Sequence, residues 1–143
     1  MKIRKAIALI LFICISAFFI FTSKEIVISG SMESEIKTGS IAFISKNIDY
    51  ENIKEGDIIS YDLGKTKVLH RVIDKNKEGL ITKGDNNDVV DFGIVTRSQI
   101  NGKYLFSIPL LGYMILFISK HILILVCLIV IFIVIKKGVR KNE

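Results

Sequence analysis

Two uncharged apolar runs frame this chain, and between them the apolar residues fall into short, separate groups. Ala6–Thr22 reads AIALILFICISAFFIFT, 17 positions without a charge. As a helix rising about 1.5 Å per residue it covers ~26 Å, a little less than a bilayer core of about 30 Å. Lys5 and Lys24 flank the run and can reach toward headgroups to close the gap. The pattern predicts an uncleaved membrane helix. A cleaved signal peptide shares the basic start and the apolar run. However, Phe21-Thr22-Ser23-Lys24-Glu25 offers no small-x-small pair, and bulky Ile13 before Cys14 argues against a lipoprotein site.

The second run is less regular. Leu105–Ile118 is apolar, Ser119-Lys120-His121 interrupts, and Ile122–Ile135 is apolar throughout. The expected span is 118–135, with Lys120 and His121 at its outer edge and Lys136 and Lys137 at its inner edge. The preceding stretch 105–117, which holds Pro109 and Gly112, is expected to lie along the outer membrane surface.

Between the runs the pattern is that of strands. Candidates are Glu25–Ser29, Ser40–Ser45, Asp57–Asp62, Lys67–Asp74, Gly79–Lys83 and Lys103–Ser107, rich in Ile and Val and separated by turn formers such as Leu63-Gly64 and Glu78-Gly79. No amphipathic helix of three turns occurs between Ser23 and Gly102. Short strands without intervening helices predict a mostly-β domain, an antiparallel barrel or folded sheet, flanked by two transmembrane helices.

Charge orients this arrangement. The chain is 50% hydrophobic and carries a formal +6, but the excess sits at its ends. Met1–Lys5 holds +3, the stretch Ser23–Gly112 holds −1, and the tail Lys136–Glu143 holds +3. A nearly neutral middle argues against nucleic-acid binding, which needs a basic patch on the folded domain. Two basic ends fit the cytoplasmic side together when the spans are even in number, so the N- and C-termini are expected inside and the middle outside. The expected units are 1–22 (basic start and first span), 23–117 (extracytoplasmic β domain), 118–135 (second span) and 136–143 (basic tail), in a cell membrane. Cys14 and Cys127 both fall within the apolar runs, so the exported part must hold together by its core rather than by disulfides.

Few residues outside the spans can do chemistry. His70 is the one histidine there, which leaves too few ligands for a His/Cys metal site. The run Asp85-Asn86-Asn87-Asp88-Val89-Val90-Asp91 has valines where a calcium loop needs a ligand and a glycine. No metal and no cofactor is expected. A serine-nucleophile arrangement remains: a hydroxyl on a tight turn, a base, an orienting acid and donors for an oxyanion. Ser29-Gly30-Ser31-Met32-Glu33 places two hydroxyls about a glycine where an apolar strand ends, and His70 shares a strand face with Val68 and Val72. Taken singly, His70 reads equally as a core histidine, Ser31 as a turn serine, and Asp85 and Asp91 as solvated loop acids.

The order SGSME, HRV, KGDNN and a following Asp resembles the type I signal peptidases, over roughly 26–111. Within them it resembles the endoplasmic-reticulum and archaeal branch, which uses Ser and His and which spore-forming Gram-positive bacteria also carry as signal peptidase I W. The resemblance implies Ser31 as nucleophile, His70 as general base in place of a lysine, Asp91 as catalytic aspartate and Asp85 as a second acid. It implies Ser29 as an oxyanion donor beside the Ser31 backbone N–H. It also implies the mostly-β protease fold shared with self-cleaving repressors. The implied substrates are signal-peptide-bearing preproteins, cut after small residues at −3 and −1 at the lipid surface. Substrate-binding residues and oligomeric state are not specified.

This chain departs from the family pattern where Ser34 and Glu35 stand in place of a proline after Met32-Glu33, and where Gly39-Ser40 replaces Gly-Asp. A proline would stiffen the nucleophile turn, so its absence predicts a looser one. Two alternatives have other signatures. An accessory β-domain would have no need of Ser31, His70, Asp85 and Asp91 together, and a Ser/His esterase would carry a Gly-x-Ser-x-Gly elbow, which is missing.

Overall fold

The structure, a computed structural model, describes residues 2–141. Met1 and the last two positions of the expected tail 136–143 lie outside the described residues. Helix α1 (Lys2–Phe21) leads directly into strand β1 (Thr22–Ile26); after it come β2 (Ile41–Ser45), β3 (Ile58–Leu63), β4 (Thr66–Lys75), β5 (Leu80–Lys83), β6 (Ile100–Ile108) and α2 (Leu111–Lys141). Single 3₁₀ turns occupy Tyr50–Asn52 and Arg97–Gln99.

All strand pairs are antiparallel, in the order β1-β2-β6-β3-β4-β5. The mostly-β, antiparallel expectation holds, but the sheet does not close into a barrel. The outer edge of the short β5 is already engaged: Leu80 and Val95 exchange both backbone bonds, at 2.9 and 2.8 Å. The sheet instead curls, so that Glu25 of β1 meets Ser60 of β3, two strands beyond its own neighbour β2.

Alternation on β3 and β4 divides the core in two. One face gives Ile59, Tyr61 and Val72, packed with Ile53, Leu80 and Val95. The other gives Ile58, packed with Met32 and Ile36 and edged by Val27, Leu69 and Tyr104. β2, read as IAFI, is buried on both faces, as a near-unbroken apolar strand should be.

Two elements differ from the sequence expectation. β1 begins at Thr22 rather than Glu25 and ends at Ile26. Thr22 Oγ1 donates to the Phe18 carbonyl at 2.8 Å, closing α1 and starting the strand at once. At the other end Gly39 N–H donates to the Val27 carbonyl, and this turn releases Ile28 and Ser29 from pairing. The stretch 105–117, expected as one segment, is not a single element. It divides between the end of β6 and the first turns of α2, separated by Pro109 and by Leu110, whose φ is 64°. Past that turn no proline remains to stop a helix.

α1 has one stretch, Ile3–Phe21, long and apolar enough to cross a membrane by length and composition, with mean hydropathy 2.3. α2 is apolar but bends by 51° between Leu111–Ile124 and Val126–Ile133. α1 meets the sheet through Phe18, 5.8 Å from Phe43 and 6.1 Å from Phe106, ring centroid to centroid, with Phe43 and Phe106 stacked at 4.7 Å. α2 is seated by two glycines: Gly112 N–H donates to the Gly39 carbonyl at 2.9 Å, and a Cβ on Gly112 would lie 2.7 Å from that oxygen.

Gly39 sits at φ +80°, and a Cβ there would enter the Tyr113 ring. Gly39→Ala should therefore destabilise the detergent-solubilised protein by about 2–4 kcal/mol, from left-handed strain plus overpacking. Chemical denaturation of the two proteins side by side measures this, and near-equal midpoints would contradict the packing described.

Tyr61 is 2% exposed, and its phenol is pushed up to about 12 by burial and by the Asp91 carboxylate, against the lowering effect of Thr82. The folded protein thus holds this proton more tightly than the unfolded chain, whose tyrosine titrates near 10. The stability it contributes is complete below about pH 10 and is lost as pH rises toward 12, at roughly 1.4 kcal/mol per pH unit. Denaturation midpoints measured between these pH values should fall in the wild type and fall less steeply in Tyr61→Phe.

Candidate active site

Ser31 lies in the turn after β1, and that turn is anchored by its neighbours on the C-terminal side. Met32 is 1% exposed, inserted beside Ile36 and Ile58. Its sulfur accepts the Asp85 N–H at 3.3 Å, and the Ser31 carbonyl accepts the Asn86 N–H at 2.8 Å. Gly84 makes this approach possible, since a Cβ there would lie 2.7 Å from the Ser31 carbonyl oxygen. Glu33 closes the turn from the other side by accepting the Thr38 hydroxyl at 2.5 Å. The loosening expected from Ser34 and Glu35 is therefore opposed by bonds from outside the motif.

His70 projects from the middle of β4 on the face of Val68 and Val72. Its Nε2 is 3.0 Å from Ser31 Oγ, and its Nδ1 is 2.5 Å from Asp91 Oδ2. A carboxylate can only accept, so the Nδ1 proton faces Asp91 and the Nε2 lone pair faces the Ser31 hydroxyl. Asp91 is fixed in turn by its own N–H on the Thr82 carbonyl at 2.9 Å and by Thr82 Oγ1 and Tyr61 OH, which donate to Oδ2 at 2.7 and 3.0 Å. The His70 and Asp91 side chains are 10% and 20% exposed. Ser29 Oγ stands 3.3 Å from Ser31 Oγ. Among the described residues, the Ser31 N–H is spent on no hydrogen bond.

Asp85, expected as a second acid beside Asp91, lies on the other side of β4. It does not reach His70. Its carboxylate binds Arg71 in bidentate fashion, Oδ1 accepting from Nε at 2.8 Å and Oδ2 from Nη2 at 2.6 Å. Arg71 Nη1 donates to the Gly56 carbonyl at 2.8 Å, and Asp85 holds the guanidinium pKa above its usual range. Consecutive strand residues point to opposite faces. His70 and Arg71 therefore present to opposite sides, and each meets one acid of the same loop. Sequence reasoning missed Thr82 and Tyr61. Their signal was a hydroxyl at an inward-facing register of an apolar strand, which must find a partner.

Beside Ser31 runs a groove of about 600 Å³, walled by Ile26, Val27, Met32 and Leu69 among others and containing Glu25. A hydroxyl aimed at one imidazole nitrogen, with the other nitrogen held by a carboxylate, is an arrangement in which the ring can take the hydroxyl proton as the oxygen attacks a carbonyl carbon. The groove beside it can take an extended peptide.

No protein-family model matches the chain. Among curated proteins it is 36% identical over 99 residues to signal peptidase I W of Bacillus subtilis, a match covering 65% of this chain and 52% of that protein. It is 35% identical over 111 residues to the signal peptidase complex catalytic subunit SEC11 of Candida dubliniensis, covering 68% of this chain and 66% of the relative. The SEC11 subunit of Lodderomyces elongisporus matches at 36% over 110 residues, covering 67% and 65%. The chain thus spans about half to two thirds of the length of the curated relatives it matches. Similarity at this level to signal peptidases of a bacterium and of yeasts makes the chain a relative of the type I signal peptidases.

Proposed function

We propose that this chain is a membrane-anchored serine endopeptidase of the signal peptidase type, which removes N-terminal signal peptides from exported preproteins after small residues at −1 and −3. The observation that carries the reading is the Ser31–His70–Asp91 line of hydrogen bonds at the side of an apolar groove. In this reading His70 Nε2 takes the Ser31 proton as Oγ bonds to the scissile carbonyl carbon. The negative oxygen is met by the Ser31 N–H and the Ser29 hydroxyl. The imidazolium gives its proton to the departing amine nitrogen as the C–N bond breaks. Water, deprotonated by the same imidazole, then attacks the acyl-enzyme and frees Ser31. Asp91 holds His70 in the productive tautomer and stabilises its charged form, with Thr82 and Tyr61 holding Asp91. Asp85 acts at a distance, locking Arg71 and the 84–87 loop under the Ser31 turn.

The two apolar helices support a placement in the cell membrane with both termini inside and the β domain, within 23–117, outside. α1 is the first span and the part of α2 within 118–135 the second, leaving the basic tail 136–143 in the cytoplasm. The Phe18–Phe43–Phe106 stack ties the domain to the end of α1, so the groove stays near the lipid surface where a signal peptide ends.

Expressed with a secreted reporter bearing an Ala-x-Ala signal peptide, Ser31→Ala and His70→Ala should each lower processing by about 10³-fold or more, the scale of losing a nucleophile or its base. Equal processing by wild type and both variants would remove the endopeptidase reading and favour an accessory role. Asp91→Ala should lower the rate more than Asp85→Ala does. Asp85→Ala should instead lower the unfolding free energy, measured by chemical denaturation, by about 1–2 kcal/mol for a partly exposed bidentate pair. The opposite pattern would reverse the two assignments.

A further inference from the structure

The groove beside Ser31 is apolar along most of its walls but contains one carboxylate that the mechanism above does not use. Glu25, on β1, is half-buried there. Both its oxygens receive the hydroxyl of Ser60, Oε1 at 2.8 Å and Oε2 at 2.9 Å, and Ser60 is fully buried on β3. That single proton leaves most of the carboxylate's acceptor capacity unmet. Val27, Met32 and Leu69 line the same groove and supply no donor side chains, while Lys24, Lys65 and Lys67 line it as well.

Among the described residues no cation pairs with Glu25. Its neighbour Lys24 donates to the Phe19 and Thr22 carbonyls, at 3.0 and 3.2 Å, and lies over the Phe19 ring. Lys67, on the opposite wall, pairs with Asp62 at 3.2 Å, and Lys65, which also lines the groove, makes no ion pair and does not reach Glu25 among the described residues. A carboxylate with acceptor capacity left over is met most strongly by a cationic donor. The groove is open, so an occupant can bring that cation. β1 leads toward Ser29 and Ser31, and an extended peptide beside it advances about 3.3 Å per residue. A side chain within a few residues of the scissile bond therefore comes level with Glu25.

We propose that Glu25 is a specificity-determining residue that selects a lysine or arginine side chain of the substrate at one position close to the scissile bond. The inference rests on the endopeptidase reading given above. Small residues at the cut itself are compatible with it, because Glu25 and Ser31 are separated along the groove by the Val27–Ser29 segment. The uncharged isostere Gln can still accept from Ser60 but gives no charge preference, and Lys at this position would repel the basic side chain.

The test uses the full chain in detergent and peptides that differ by a single Ala, Lys or Glu placed in turn at each position within five residues of the cut. Wild type should prefer Lys over Glu at one position by ~10-fold in kcat/KM, the discrimination of one partly desolvated charge pair. Glu25→Gln should bring that ratio to about one, and Glu25→Lys should invert it. Thermal unfolding of each variant shows that it is folded, and Glu25→Gln decides the matter alone where Glu25→Lys does not fold. An unchanged Lys-to-Glu ratio in Glu25→Gln, or no charge preference at any position in wild type, overturns the proposal. Ser31→Ala is run beside them. Cleavage that depends on Ser31 but ignores charge removes this inference alone, whereas the absence of Ser31-dependent cleavage removes the endopeptidase reading and this inference with it.

Discussion

The contact between Ser31 Oγ and His70 Nε2 joins residues 39 apart in sequence, from a turn beside one edge strand and from a strand next to the other edge. A flat six-stranded sheet would hold these two groups far apart, since neighbouring strands lie about 4.8 Å from each other. Curl of the sheet is therefore the constraint on which the site depends. Right-handed twist supplies part of it. Buried side chains supply the rest: Met32 and Ile36, from the segment after β1, pack on Ile58 of β3, and Ser60 draws Glu25 in from β1. Each of these bridges passes over the β2–β6 pair rather than along the ladder.

The two acids of the 84–91 loop illustrate how one segment can serve both faces of a strand. His70 and Arg71 are adjacent, so their side chains diverge, and the loop folds around the end of β5 to meet both. Asp91 meets an imidazole in a nearly closed pocket, with two hydroxyls on the same oxygen. Asp85 meets a guanidinium whose side chain is 31% exposed and whose other donors reach Gly56 and approach Glu35. A carboxylate committed to a guanidinium by two short bonds has little to offer a neighbouring ring. The division leaves His70 facing one acid of the loop and Arg71 facing the other.

Much of this was legible in the sequence, for reasons that can be named. Ile- and Val-rich groups bounded by Gly-containing turns located the strands, and the face of His70 followed from alternation with Val68 and Val72. The boundary of β1 was not legible, because Thr22 serves both the helix and the strand and the limiting turn at Gly39 lies 17 positions away. The division of 105–117 between β6 and α2 depended on a single Leu110 in a left-handed conformation, which a leucine does not advertise. The bend in α2 occurs where no proline or glycine stands, so it has no local signal. Thr82, Tyr61 and the Glu25–Ser60 pair were hidden because each depends on a partner from a distant strand. By contrast, the separate fates of Asp91 and Asp85 could have been argued in advance from the adjacency of His70 and Arg71.

The segment Ser34-Glu35, which stands where the family pattern has a proline, also shows what a local rule leaves out. A proline rigidifies a turn by removing conformations from the unfolded chain, an effect of about 1 kcal/mol or less. Here the turn is held by the buried Met32 side chain, the Thr38 hydroxyl on Glu33 and the Ser31 carbonyl on the 84–87 loop. Burying a methionine side chain alone is worth about 1.5–3 kcal/mol, which exceeds the proline effect. These restraints also act on the folded state and fix the position of the serine, whereas a proline constrains only its own φ. What such a turn must do is keep Ser31 Oγ within hydrogen-bond reach of His70 while leaving its N–H free. The bonds that achieve this come from residues on either side of the missing proline and from a loop far downstream, so the departure in sequence removes none of them.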